Sequence, residues 1–179
     1  MRRGDFIQTH CGIKMYPLDP RPEEIELEDI AHALSNICRF TGHCSEFYSV
    51  AQHSVAVSAL CSHENAMWGL LHDASEAYIC DVARPLKRSD TFFPYLEAEA
   101  NLMMVIAKKF NLQPIEPEEV KKLDNVLLLT EARDLGLLTK DWNTYGAESL
   151  KYNIYPCEPK SAKRQFLEWY GVLINKVNT

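Results

Sequence analysis

The stretch Trp68 to Lys87 reads WGLLHDASEAYICDVARPLK and places His72 directly beside Asp73 in an apolar run. Glu76 follows four residues after His72, Asp81 comes beyond it, and Arg84, Lys87 and Arg88 close the basic end of the segment. Two further ionisable residues fall on apolar stripes. His53 lies three residues after Val50 and four before Val57, and Asp124 lies four after Val120 and three before Leu127. At a 3.6-residue repeat each points with its apolar neighbours. A carboxylate facing a core is expensive unless it is paired or binds a metal. Taken singly, each residue has a plainer explanation: an inward histidine is more often a hydrogen-bonded core residue, and a helix aspartate is more often a salt-bridge partner. Two imidazoles and two carboxylates converging from three helices shift that balance. Such an N/O donor set suits borderline and hard divalent cations, and an open coordination position would admit water. Water on such a cation has its pKa lowered towards ~7 and becomes a nucleophile at neutral pH.

Helices must position these groups. Apolar residues recur at helical spacing from Leu27 to Cys38, after a lead-in loop that holds Pro20 and Pro22. Arg39 to His43 breaks the pattern and reads as a loop. A second helix is expected over Ser45–Leu60 and a third over Glu64–Cys80, ended by Pro85. A fourth runs from Tyr95 to Phe110. The fifth opens with Pro117 in its first turn among Glu116, Glu118 and Glu119 and closes at Gly136. Leu137 to Glu158, with Trp142, Asn143, Tyr145 and Gly146, reads as irregular, and a last helix covers Lys160–Asn175. Only residues 5–18 suit short strands. The expected fold is therefore all-α: one bundle of about six helices over residues 1–179, with room for a short N-terminal β-hairpin.

Composition removes several function classes. The chain has 179 residues, 46% of them apolar, which suits one globular domain with a real core. No run of ~18 apolar residues is present to span a membrane. The start, MRRGDFIQTHCG, is basic but lacks the apolar stretch of a secretory signal, so a cytoplasmic protein is expected. Six cysteines occur without a CxxC pair, as expected for reduced, mostly buried thiols. A formal charge of −6 argues against a nucleic-acid polymer as partner, since that needs a basic footprint. A small anion remains suitable where basic residues cluster.

These residues resemble a known family. His53, His72-Asp73 and Asp124 match the H…HD…D signature of the HD-domain metal-dependent phosphohydrolases. HDASEAYICD, from His72 to Asp81, resembles the HDxxE-x4-D segment of bacterial HD-domain 5′-deoxynucleotidases. VAQHSVAV, from Val50 to Val57, resembles their first ligand helix, and Arg39-Phe40 their Arg-aromatic pair ahead of it. SNICRFTGHCSEFYSVAQHSV is similar to small stand-alone HD proteins of phages and prophages, some of which deplete dATP. The resemblance covers roughly Ile25 to Leu135. The interval from His53 to His72 is shorter than in the well-known deoxynucleotidases. Ala77 stands where guanosine tetraphosphate hydrolases carry a second acid, and no GYP motif follows, which argues against those two branches.

The resemblance implies an HD helical bundle whose metal ligands are His53, His72, Asp73 and Asp124, holding zinc, cobalt, manganese or iron, with magnesium joining for a triphosphate substrate. Glu76, one helical turn from His72, is the residue expected to orient the attacking water or shuttle its proton; alone it would read as a solvated helix glutamate. Asp81 resembles the acid on the sugar or leaving-group side. Arg39 is the first expected phosphate clamp, because a guanidinium fork fits phosphate bidentately, and Lys87 is the second. Arg84 and Arg88 read as surface charge. His43 and Phe40 are candidate substrate contacts, and Tyr16-Pro17-Leu18 a candidate base-pocket wall; His10, His32 and His63 are background. The expected substrate is a free deoxynucleotide, either a monophosphate or a triphosphate, and the expected assembly a homo-oligomer, dimer or hexamer. The competing expectation is a binding module that senses a nucleotide in the same pocket without turnover.

Overall fold

Helical periodicity dominates the chain and is realised in the computed structural model, which describes residues 2–142 and 146–177, the last two of these by backbone alone. The protein is mostly helical with one small two-stranded antiparallel sheet. That sheet pairs β1 (Ile7–Gln8) with β2 (Lys14–Met15), setting Ile7 against Met15. Met15 is fully buried and anchors the hairpin to the helical core.

The first helix, α1 (Leu27–Asn36), stops short of Cys38 because Cys38 pairs with Ser49 in an isolated antiparallel bridge. That same pairing delays the next helix. α2 spans Val50–Leu60 rather than starting at Ser45, and the Ser49 hydroxyl caps it by accepting the Gln52 amide at 3.1 Å. Most of α2 is enclosed: Val50, Ala51, His53, Ser54, Val57 and Ser58 are all buried, as expected of a helix with almost no charged face. It packs against α1, α3, α7 and α8.

The expected long third helix is broken. α3 covers Ala66–Leu71, α4 covers Glu76–Ile79, and His72 to Ser75 form tight turns between them. The Ala74 amide bonds Leu71 and the Glu76 amide bonds Asp73, both at 3.0 Å, so the backbone tightens to a three-residue repeat at the His-Asp pair. Gly69 lets α3 lie directly on α2. A Cβ there would stand 2.9 Å from both the Ser58 Cα and the Cys61 sulfur. Pro85 does not end this helix; the chain has already turned at Cys80 (φ 67°), and Pro85 instead sits in the first turn of α5 (Arg84–Lys87).

α6 (Phe93–Lys109) and α7 (Glu118–Asp134) fall close to expectation, with Pro117 one position ahead of α7 rather than inside it. α8 (Pro159–Val177) closes the fold. Between α7 and α8 the described residues are irregular, tied down by Arg133, which donates to the Leu150 and Tyr152 carbonyls, and by the Thr130 hydroxyl and Asp134 carboxylate. Asn143 and Tyr145 lie outside the described residues.

One core joins Ile30 and Leu34 of α1, Leu70 and Leu71 of α3, Leu102 and Ile106 of α6, and Phe166 of α8. A second cluster packs Val57, Trp68, Val120 and Leu127 against one another, fastening α7 to α2. No described helix is long and apolar enough to cross a membrane. The cysteines are free thiols, but the expectation that most are buried fails. Cys11 and Cys80 are exposed and the others half-buried, because each lies on a loop or at a helix end rather than on an inward stripe.

Candidate metal centre

The packing of α3 and α7 onto α2 brings the inward polar residues together. His53, wholly buried on α2, points its Nε2 at the Nε2 of His72, 3.3 Å away. The nearer Asp73 oxygen lies 3.3 Å from His72 Nε2 and 3.8 Å from His53 Nε2. Donor atoms of His53, His72 and Asp73 all lie within 4.8 Å of one another, so this group could hold a metal ion. Asp124 arrives from α7 on the His53 side, with Oδ1 3.2 Å from His53 Nε2 and Oδ2 3.6 Å from Arg84. It does not share the mutual closeness of the other three.

The outer nitrogens determine what the inner ones can do. His53 Nδ1 lies 2.7 Å from a buried Glu131 oxygen, and His72 Nδ1 lies 2.8 Å from the Gly69 carbonyl. Both partners only accept, so each Nδ1 carries a proton and each neutral Nε2 presents a lone pair. Two lone pairs facing across 3.3 Å cannot bond to each other; a proton or a cation must mediate. With two imidazoles and a carboxylate as donors, a borderline divalent cation fits.

Without a cation, protons take that role. Burial disfavours the His72 imidazolium, but the charge and hydrogen bond of Asp73, then the Asp124 charge, outweigh it and hold His72 up to about 9. Burial would raise Asp124, yet the hydrogen bond and charge of His53 hold it down to about 2. Asp73 is likewise held far below the usual carboxylate range, burial being overcome by His72, His53 and Arg39.

A cavity of about 720 Å³ opens beside this group, within the size range of small-ligand pockets. Arg39, Phe40, His43, Glu76, Asp81 and Lys87 all line it, together with Asp73 and Asp124. Glu76 is buried, and its Oε2 has no hydrogen-bond partner among the described residues. Burial, then the charges of Asp73 and Asp81, push its carboxyl well above the ordinary glutamate range, against Lys87 and Arg39. Phe40 is carried on a turn where Phe40, Thr41 and Gly42 all have positive φ, a costly conformation for the first two. Its ring lies 6.2 Å from Trp142, tilted by 53°.

A second cavity of about 620 Å³ shares Asp73, Asp124, Arg84 and Lys87 with the first, is the one His72 lines, and reaches Glu99, Glu116 and Lys121. Arg84 is thus no plain surface charge: it bonds Asn125 at 3.1 Å and faces both cavities.

Two expected roles look different in place. Arg39 is buried and its Nε donates to Glu131 at 2.9 Å, leaving Nη1 3.7 Å from Asp73. Lys87 is bonded to Glu99 at 2.7 Å and stands 3.7 Å from Glu76. Tyr16-Pro17-Leu18 lines neither cavity; Tyr16 packs on Phe6 and under the Arg2 guanidinium, while the hairpin loop is held to α1 by the Cys11 amide on Asp29 and by His10 stacked on His32. Sequence reasoning missed Glu131 and did not assign Trp142 to the site. The available signal for Glu131 was a glutamate inside the apolar run Val126–Ala132 of α7.

No family model matches the chain. Over 172 residues it is 41% identical to YfdR of Escherichia coli (strain K12), described as an uncharacterized protein, covering 94% of this chain and 95% of the relative. A second uncharacterized protein, from Rhodobacter capsulatus, is 34% identical over 120 residues, covering 62% of this chain and 61% of its own. The chain therefore belongs to the family of Escherichia coli YfdR.

Proposed function

We propose that this protein is an HD-domain metal-dependent phosphohydrolase acting on free deoxynucleotides. The observation that carries the proposal is the facing of His53 Nε2 and His72 Nε2 beside Asp73, which itself lines a cavity shared with Arg39, Glu76 and Lys87. Asp124, whose Oδ1 lies 3.2 Å from His53 Nε2, is the fourth ligand of this reading. When bound, a divalent cation there would supply charge neutralisation and a more acidic water.

The chain's own residues do the rest. Glu76 takes the proton of the attacking water on its unpartnered Oε2, a buried carboxylate oxygen that faces the cavity. Arg39, Arg84 and Lys87 neutralise phosphate oxygens, and a bond from phosphorus to its leaving oxygen breaks as the water oxygen adds. Asp81 faces the same cavity and contacts the sugar or leaving group. Phe40 and Trp142 offer ring faces to a base. Near these residues the cations are matched by Asp73, Glu76, Asp81 and Asp124, so a single nucleotide with its own cation suits the cavity better than a polyanionic strand.

Incubating metal-loaded protein with all nucleoside mono-, di- and triphosphates, and identifying the released group, tests this. Faster degradation of single-stranded DNA than of any free nucleotide would make the small-molecule proposal wrong. Tight nucleotide binding without product would favour the sensing alternative.

A further inference from the structure

Two carboxylates of α7 claim the two ring nitrogens of one histidine. Asp124 and Glu131 are seven residues apart, two turns on the same helix face, and they reach Nε2 and Nδ1 of His53 at 3.2 and 2.7 Å. Glu131 is completely buried, a costly place for a carboxylate. Its two oxygens are both used: Oε1 accepts from His53 and Oε2 accepts from Arg39 Nε at 2.9 Å. Arg39 in turn stands 3.7 Å from Asp73, closing a ring of contacts through His53, Glu131, Arg39 and Asp73. His72 is held differently, by the neutral Gly69 carbonyl of its own helix. An apolar residue could fill the space of Glu131; it could not keep a proton on His53 Nδ1 or hold the Arg39 guanidinium edge.

We propose that Glu131 is a positioning residue that sets the His53 tautomer and the Arg39 orientation together, so that cation affinity and phosphate binding depend on one buried carboxylate. The proposal rests on the metal centre described above, while its two deciding readouts, cobalt affinity and the position of the His53 proton, are independent of hydrolysis. Outer partners of ligating histidines commonly contribute 10–100-fold, roughly, to metal affinity.

Glu131→Gln keeps the size of the side chain. Its amide offers one accepting oxygen, so it serves His53 or Arg39 but not both, and its NH₂ group must face a second donor. Titration with cobalt(II), followed by its visible absorption, should show affinity weakened by ~10–100-fold in Glu131→Gln. Glu131→Asp, which keeps both acceptors and the charge, should recover part of the loss. The Michaelis constant for nucleotide should rise in the same order if Arg39 is displaced with it. A second measurement needs no variant: the ¹⁵N spectrum of zinc-loaded wild-type protein should show the His53 proton on Nδ1. Equal cobalt affinity in wild type and Glu131→Gln overturns the proposal, as does a wild-type protein that takes up no cobalt, or a His53 without a proton on Nδ1. Absence of turnover on every nucleotide, with the cobalt difference intact, would sink the phosphohydrolase proposal and leave this one standing.

Discussion

His10 and His32 stack face to face, with ring centroids 3.6 Å apart and planes within 5°, whereas His53 and His72 meet at 5.2 Å and 58°. Both pairs have carboxylates nearby. At the first pair, Asp29 spends Oδ1 on the Cys11 amide at 2.7 Å, and Lys163 places its ammonium 3.5 Å from His10 Nε2. Parallel rings send their nitrogens sideways, and a Lys163 ammonium stands beside His10. Burial, then His10 and Lys163, push the His32 pKa down. At the second pair, anchored Nδ1 atoms turn both Nε2 atoms inward, and Asp73 with Asp124 raises His72 to about 9. Proximity of histidines alone does not build a group that could hold a metal ion; converging donor atoms beside carboxylates do.

The largest expected effect separates the two pairs directly. Asp73→Ala should leave dialysed protein with only background metal and no turnover, with the fold retained because the helices keep their apolar stripes. His32→Ala should keep full metal content by elemental analysis. Loss of metal in both variants would break the comparison.

Glu76→Ala should retain metal and substrate binding while turnover falls by ~10²–10⁴-fold. Unchanged turnover would return Glu76 to an inert buried residue.

Arg39→Ala should weaken use of every nucleotide. It should also destabilise the protein by about 3–5 kcal/mol in denaturant unfolding, since it strips the buried Glu131 of one partner. Removing a cation from the stacked pair, as in Lys163→Ala, should change stability far less, because its bond to Glu28 is at a partly exposed site.

The two pairs should also answer pH in opposite directions in chelator-treated protein. His72, raised from 6.5 to about 9, contributes stability that is complete below 6.5 and is lost as pH climbs towards 9. His32, lowered from 6.5, contributes stability present above 6.5 that is lost on acidification. Proton NMR titration of the ring resonances should show this order. A cation must displace any proton held on Nε2 of His53 and His72, whose rings both hold protons more tightly than a free imidazole, so metal uptake at pH 7 should release protons and affinity should rise with pH. Calorimetry in buffers of different ionisation enthalpy checks it.

The smallest effect concerns preference. Phe40→Ala or Trp142→Ala should weaken binding by about 1–3 kcal/mol if a base stacks there. Phe40 and Asp81 changes should alter choice between bases or sugars, measured as ratios of kcat/KM, whereas His10→Ala should alter none.

The helices and the inward residues were legible because periodicity is local. Val50, His53 and Val57, or Val120, Asp124 and Leu127, announce a shared face wherever the helix packs. The His72-Asp73 pair was likewise visible, with Glu76 beside it. What periodicity cannot state is which faces meet, and at what rotation and height along their axes. The break of the helix at His72–Ser75, the meeting of α7 with α2 that joins Glu131 to His53, and the reach of Arg39 back to Glu131 arise between segments as much as 92 residues apart. The same holds for the hairpin, whose Tyr16 packs away from the cavity, and for the two histidine pairs. Their residue types were equally plain in the chain. Only the packed helices determined that His53 and His72 present lone pairs to a shared space while His10 and His32 present ring faces, because a ring nitrogen's direction is set by the partner that holds its other side.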